Sequence, residues 1–322
     1  MSTFPDGLFQ YGGVPVGGLT SLGIGNVYWV IQSTNSAYQD FMEERQGIYH
    51  NDGSWRVHTT IASALTATVT ERNDYVVVMP DDTDYTITAT LAMDKRNVHL
   101  VCPAGLGYDV GCPKSARIYC STTNTPAITL TGQCCEIAGF HFKNTASTLD
   151  TGAVIYASAT AYYANIHNNN FSMVLSGGTN SPMIWGYNDA LSYSLIHRNR
   201  FNTMTGASAT IAAIVKTDAP CTGTHIEHND FIIGCTCTCT TCVNNQSVMG
   251  TIKWNTVTCC GEQAGGMGAG TITNAFTAGT TNGVIGNMGA VPTATLISGG
   301  TASQSFCFNW DGITTTPEVV VD

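Results

Sequence analysis

Three sets of side chains in this sequence have the types and spacing to do chemistry. The densest is Cys235-Thr-Cys237-Thr-Cys239-Thr-Thr-Cys242. On a loop, four thiolates this close would suit a tetrahedral zinc site, because soft sulfur ligands favour that metal. On a strand, side chains alternate between faces, so Cys235, Cys237 and Cys239 share one side and behave as small buried hydrophobes. The strand reading is preferred, and no metal or other cofactor is expected. A second set is His167 and His197, 30 residues apart and followed at similar spacing by Glu227 and Lys253. Each stands next to an isoleucine that would be buried, which points it outward and predicts a polar surface column. The third set is Asp189 and Asp218. On adjacent layers of a stacked fold they would lie about 4.8 Å apart, close to the ~5–5.5 Å of a retaining glycosidase pair. Trp185 and Tyr187 beside them could stack on a sugar ring.

The recurring interval of about 30 residues belongs to a phrase. It reads Ile166-x-x-Asn169-x-Phe171, Ile196-x-x-Asn199-x-Phe201, Ile226-x-x-Asn229-x-Phe231 and Ile252-x-x-Asn255-x-Val257. A looser copy, Ile137-Ala-Gly-Phe140-His-Phe142, precedes them, and the successive isoleucines are 29, 30, 30 and 26 residues apart. Such a period predicts a solenoid. Six residues are too few for a helical unit but suffice for a strand, a tight turn and a second strand. Asn suits the bend because it tolerates left-handed backbone and bonds to nearby peptide groups. Stacked copies would align the four asparagines into an amide ladder, with isoleucine and phenylalanine columns filling the interior.

Over about residues 45 to 260 this phrase resembles the right-handed parallel β-helix of the pectate-lyase-like superfamily. The resemblance implies an all-β, single-chain solenoid. Four regions are expected: an extended Gly/Pro-rich arm (1–25), the start of the β-helix with a capping helix (26–100), regular coils (101–260), and a Gly/Thr-rich terminal coil and cap (261–322). Thr59-Thr60 should cap an amphipathic helix from Ile61 to Val69 that plugs the open end, with Ile61, Leu65 and Val69 on one face. The segments between phrases, such as Ser172 to Ser194, are read as loops leaving at one corner. Beyond residue 260 the pattern dissolves, and one irregular coil with a capping strand is expected.

Only 11% of the residues are charged and the net charge is −10, with 12 Lys and Arg in all. Nucleic-acid binding needs clustered basic residues, so that partner is excluded. Nothing approaches 18 uninterrupted apolar residues, so no membrane span is expected. Residues 1–25 lack a charged n-region and a continuous apolar h-region, which predicts synthesis and folding in a cytoplasm, and disulfides are not expected there. Within the arm, Phe4, Leu8, Phe9, Tyr11, Val14 and Val16 are more apolar than a plain linker needs, and they are candidates for docking on a partner.

The order of arm, helix, strands and solenoid resembles structural proteins of tailed bacteriophages. That resemblance implies a non-enzymatic virion surface protein assembled in the host cytoplasm. It would be a capsid decoration or cement protein, trimeric, attached to the major capsid protein or another virion protein. The alternative is a tailspike or fibre that binds or cleaves a host surface glycan, with Asp189 and Asp218 as the acids.

Overall fold

The computed structural model describes residues 9–11, 14–16, 25–35, 56–105, 115–120, 125–145, 153–158, 160–175, 178–205, 209–234, 237–259, 271–279, 282–290, 295–298, 305–307 and 310–311. The chain winds into a right-handed parallel β-helix with three sheets running its length, and every strand pair in them is parallel. Parallel strands joined by crossovers take the right-handed sense almost without exception.

The repeated phrase builds two of the three faces. Ile137, Ile166, Ile196, Ile226, Ile252, Val284 and Phe306 stand in one register column, and their sheet is called here the Ile face. Phe142, Phe171, Phe201, Phe231 and Val257 form the column of the second, the Phe face. Adjacent phenylalanine rings stack nearly parallel with centroids 4.8–4.9 Å apart. That spacing is the distance between coils, so each ring rests on the next with no gap. Truncating one such ring to Ala costs about 3–5 kcal/mol in comparable cores.

A third face lies inside the segments read from sequence as loops. Its strands include Ile128–Leu130, Ile155–Ala157, Ile184–Gly186, Ala209–Thr217, Cys237–Asn245 and Thr271–Ala278. Ile128, Ile155, Ile184, Val215, Val243 and Phe276 make its inner column. The expectation of loops between phrases is therefore corrected: each coil has three sides, and the third is written in residues too varied to repeat visibly.

The solenoid also continues past residue 260 in full register. Gly283–Ile285 and Met288–Ala290 pair with the preceding coil, and Ser305–Cys307 and Trp310–Asp311 pair with them in turn. Val284-x-x-Asn287 is a further copy of the phrase, hidden because Gly289 stands where a large apolar residue was sought.

At the other end, helix α1 (Ile61–Ala67) buries Ile61, Ala64 and Leu65 against the interior of the first coils. Its start is set by Thr60, whose hydroxyl accepts from the Ser63 amide at 3.2 Å. Its end is set by Lys95, whose ammonium donates to the carbonyls of Leu65, Thr66 and Thr68. The helix stops two residues earlier than expected, and Val69 is exposed rather than on the buried face.

Within the arm, Phe9–Tyr11 and Val14–Val16 pair as an antiparallel hairpin, while Phe4 and Leu8 lie outside the described residues, as does Val319–Val321. Gly25 is held against the first coils of the body. Its amide donates to the Asn73 carbonyl, and a Cβ there would lie 2.3 Å from Asp74 Oδ1.

Candidate functional site

The buried polar feature that the phrase predicts is present, and its geometry is specific. Each ladder asparagine donates one Nδ2 hydrogen to the Oδ1 of the next, at 3.1 Å from Asn169 to Asn199 and from Asn199 to Asn229, and 3.0 Å from Asn229 to Asn255. The other Nδ2 hydrogen goes to an isoleucine carbonyl of the coil before, as from Asn199 to Ile166 at 2.9 Å. Each Oδ1 also accepts a backbone amide from the coil before, as from Asn169 to Asn199 at 3.1 Å. The buried amides of Asn199, Asn229 and Asn255 thus each make four hydrogen bonds, two given and two received. Asn287 extends the ladder and Phe140 ends it, donating its amide to Asn169 Oδ1.

The left-handed residue of the turn is not the asparagine, as its chemistry suggested, but the one before it. Asn168, Arg198, His228 and Trp254 have φ of 52–56°, and Gly139 and Gly286 occupy the same place. The asparagine side chain holds the turn from inside while its neighbour takes the strained backbone.

Outside the Ile face, the predicted polar column exists and is half-buried. Glu136 receives His99 Nδ1 at 2.8 Å on one oxygen and His167 Nε2 at 2.7 Å on the other. Burial raises the Glu136 pKa, but the hydrogen bonds and charges of the two histidines outweigh it and hold the carboxyl down at about 2. His197 stacks on His167 with centroids 4.9 Å apart. Burial, reinforced by the charges of His167, Arg198 and His228, lowers His197 to about 4. Further along the column, Lys253 Nζ lies 2.6 Å from Glu227 Oε2. These groups stitch one coil to the next.

The two aspartates are not a stacked pair. Gly186 is in register with Thr217, so Asp218 stands over Tyr187 and Asp189 falls two residues further along the turn. Asp189 accepts the hydroxyl of Tyr162. Asp218 accepts the Trp185 indole N–H at 2.9 Å and pairs with Lys216 at 3.1 Å, whose ammonium sits over the Trp185 ring. Trp185 is only 8% exposed, and Tyr156 and Tyr187 meet it edge-on. With Lys216 over the ring and the residue buried, little of Trp185 is open to a sugar.

Cys237 and Cys239 point into the solenoid from the strand Cys237–Asn245, as alternation requires, and Cys242 is buried in the same cluster. Burial, with Cys242 alongside, pushes the Cys239 thiol well up from its ordinary pKa, which keeps it protonated and a poor ligand. Cys235 lies outside the described residues. Among the described residues no group of three or more His, Cys, Asp or Glu could hold a metal ion, and no helix is long and apolar enough to cross a membrane.

No protein-family model matches the chain, and no curated protein is similar to it. Among solved structures it is similar to ORF18 of Geobacillus virus E2, at 12% identity and a TM-score of 0.30, over 87% of this chain and 64% of that one. The chain therefore spans less than two thirds of that protein's length. A likeness of this order says nothing of activity, so what the chain does rests on its own residues.

Proposed function

We propose that this chain is a non-enzymatic surface protein of a tailed-bacteriophage particle, of the pectate-lyase-like β-helix kind its phrase resembles. In this reading it decorates or cements the capsid as a homotrimer. What carries the proposal is the use made of the carboxylates: Glu136, Glu227, Asp189 and Asp218 are each spent on a partner in a neighbouring coil or on the same face. A hydrolase needs two acids converging on one open point. These acids instead lock the coils of a rod whose asparagine and phenylalanine columns already make it stiff, which suits a load-bearing role. The apolar arm supports attachment to a shell, and the sparse charge supports close packing among copies.

The test is the copy number of the chain per purified particle, measured by mass spectrometry against the major shell protein. Hundreds of copies fit a decoration or cement protein, a few dozen or fewer fit a spike or fibre, and none would sink the virion reading. The catalytic alternative is tested separately: a variant carrying Asp189→Asn and Asp218→Asn should match the parent in any glycan-cleavage assay.

A further inference from the structure

The turns that join the third face to the Ile face carry an uncovered apolar ridge. Of the eight large apolar side chains exposed among the described residues, Tyr163, Tyr187, Tyr193, Val248 and Met249 stand on these turns. The exposure is concentrated on one edge rather than scattered, which marks a surface for contact. Tyr163, Tyr193, Gly223 and Met249 take the same left-handed place in successive coils, with φ of 57–65°. At about 4.8 Å per coil the row runs along the solenoid for about 14 Å.

Left-handed backbone disfavours side chains of this size, yet each of the two tyrosines is 55% exposed and Met249 is 64% exposed. Burial in the core does not account for them, and asparagine would suit the turn better. The rings are fixed before any contact is made. Tyr163 stacks on Tyr193 with centroids 5.4 Å apart, and Tyr193 lies over Gly223, where a Cβ would come within 2.9 Å of its ring. Little side-chain freedom is left to lose on association.

Charge indicates what covers the ridge. In a closed ring of copies with its axis along the solenoid, each coil meets the same coil of its neighbours, so every residue near the axis meets itself. A charged residue there opposes its own kind. The other edge of the Ile face fails this condition, because its left-handed row holds the exposed Arg198. The outer row of the Ile face holds Glu227 and Lys253, and the outer rows of the Phe face hold Lys143, Arg200 and Asp230. The row from Tyr163 to Met249 carries no charge. The two acids on the same turns, Asp189 and Asp218, are half-buried against Tyr162 and Trp185. Tyrosine and methionine are also the residues that interface centres favour, and Lys, Glu and Asp those they exclude.

We propose that this ridge is the contact through which copies of the chain associate, parallel and in register, around a threefold axis along the solenoid. The inference rests on the homotrimer of the reading above and adds to it the surface and the orientation of the copies.

The experiment measures the mass of the purified full chain by sedimentation velocity over a wide range of concentration. The parent is expected to be a trimer whose Tm rises with concentration. Tyr193→Asp and Met249→Asp, residues that tolerate positive φ, should lower the mass threefold while keeping the parent's circular-dichroism spectrum. Arg198→Asp, on the other edge of the Ile face, should remain trimeric. Should an aspartate variant misfold, Tyr193→Asn with Met249→Asn suits the turn, adds no charge and decides by the same mass. Ridge variants that fold and stay trimeric overturn this surface and leave the homotrimer standing. A parent that is monomeric at every concentration overturns both.

Discussion

Single residues in this protein are tuned by neighbours one coil away, and acid exposes that dependence. Glu136 has a folded pKa of about 2 against an ordinary 4.5, so its stabilising effect is full above 4.5 and is lost as pH falls toward 2. His197 has a folded pKa of about 4 against 6.5. It is held neutral in the fold, and the unfolded chain binds its proton more readily, so stability is full above 6.5 and falls from there toward pH 4. Burial lowers His141 and His225 as well, and both act in the same direction. Thermal melts should therefore show a Tm that declines steadily from pH 7 to pH 3. His197→Asn should flatten the upper part of that decline and Glu136→Gln the lower part. A Tm independent of pH over this range would contradict the assigned hydrogen bonds. That His167 and His197 face outward was legible in sequence from their place beside a buried isoleucine. That Glu136 bridges two histidines was not, because its partners lie 37 and 31 residues away.

The ladder is the element that makes one coil specify the next. Replacing Asn199 by Ala would strand the Asn169 amide and side chain on one side, take one of the donors from the Ile166 carbonyl, and take the Nδ2 donor from Asn229. Each buried orphan costs about 1–3 kcal/mol, so a loss of at least 3 kcal/mol is expected by urea denaturation. Asn199→Asp is a sharper probe. It keeps the accepting oxygen but turns the donor into an acceptor facing two oxygens, so only the protonated acid fits. Its folded pKa must be raised, and its stability must be greater at pH 4 than at pH 7 relative to the parent. The phrase Ile-x-x-Asn-x-Phe announced this element from the sequence, register included. It did not reveal which residue of the turn is left-handed, because the burial that holds asparagine inside leaves the strain to Arg198, His228 and Trp254 before it.

At the scale of the whole molecule, a stack of coils has two ends, and each end needs a cover. Helix α1 covers the first, with Thr60 and Lys95 fixing its limits. The arm ahead of Gly25 adds no described strand to the three sheets, its hairpin pairing only with itself. Deleting residues 1–24 should then leave the circular-dichroism spectrum and Tm of the body intact while abolishing incorporation into particles; normal incorporation would end the docking role of Phe9, Tyr11, Val14 and Val16. By itself the sequence determined that the chain is a parallel β-solenoid, that asparagine, isoleucine and phenylalanine form its columns, and that a helix plugs its start. Those features repeat at a fixed period or carry local capping chemistry, and both survive in one dimension. Only the tertiary structure decided the third face, the coils beyond residue 260, and the separation of Asp189 from Asp218. Each of these depends on the register between coils, and two residues' difference in path length around one coil shifts which side chains meet without leaving a mark in either coil's own sequence.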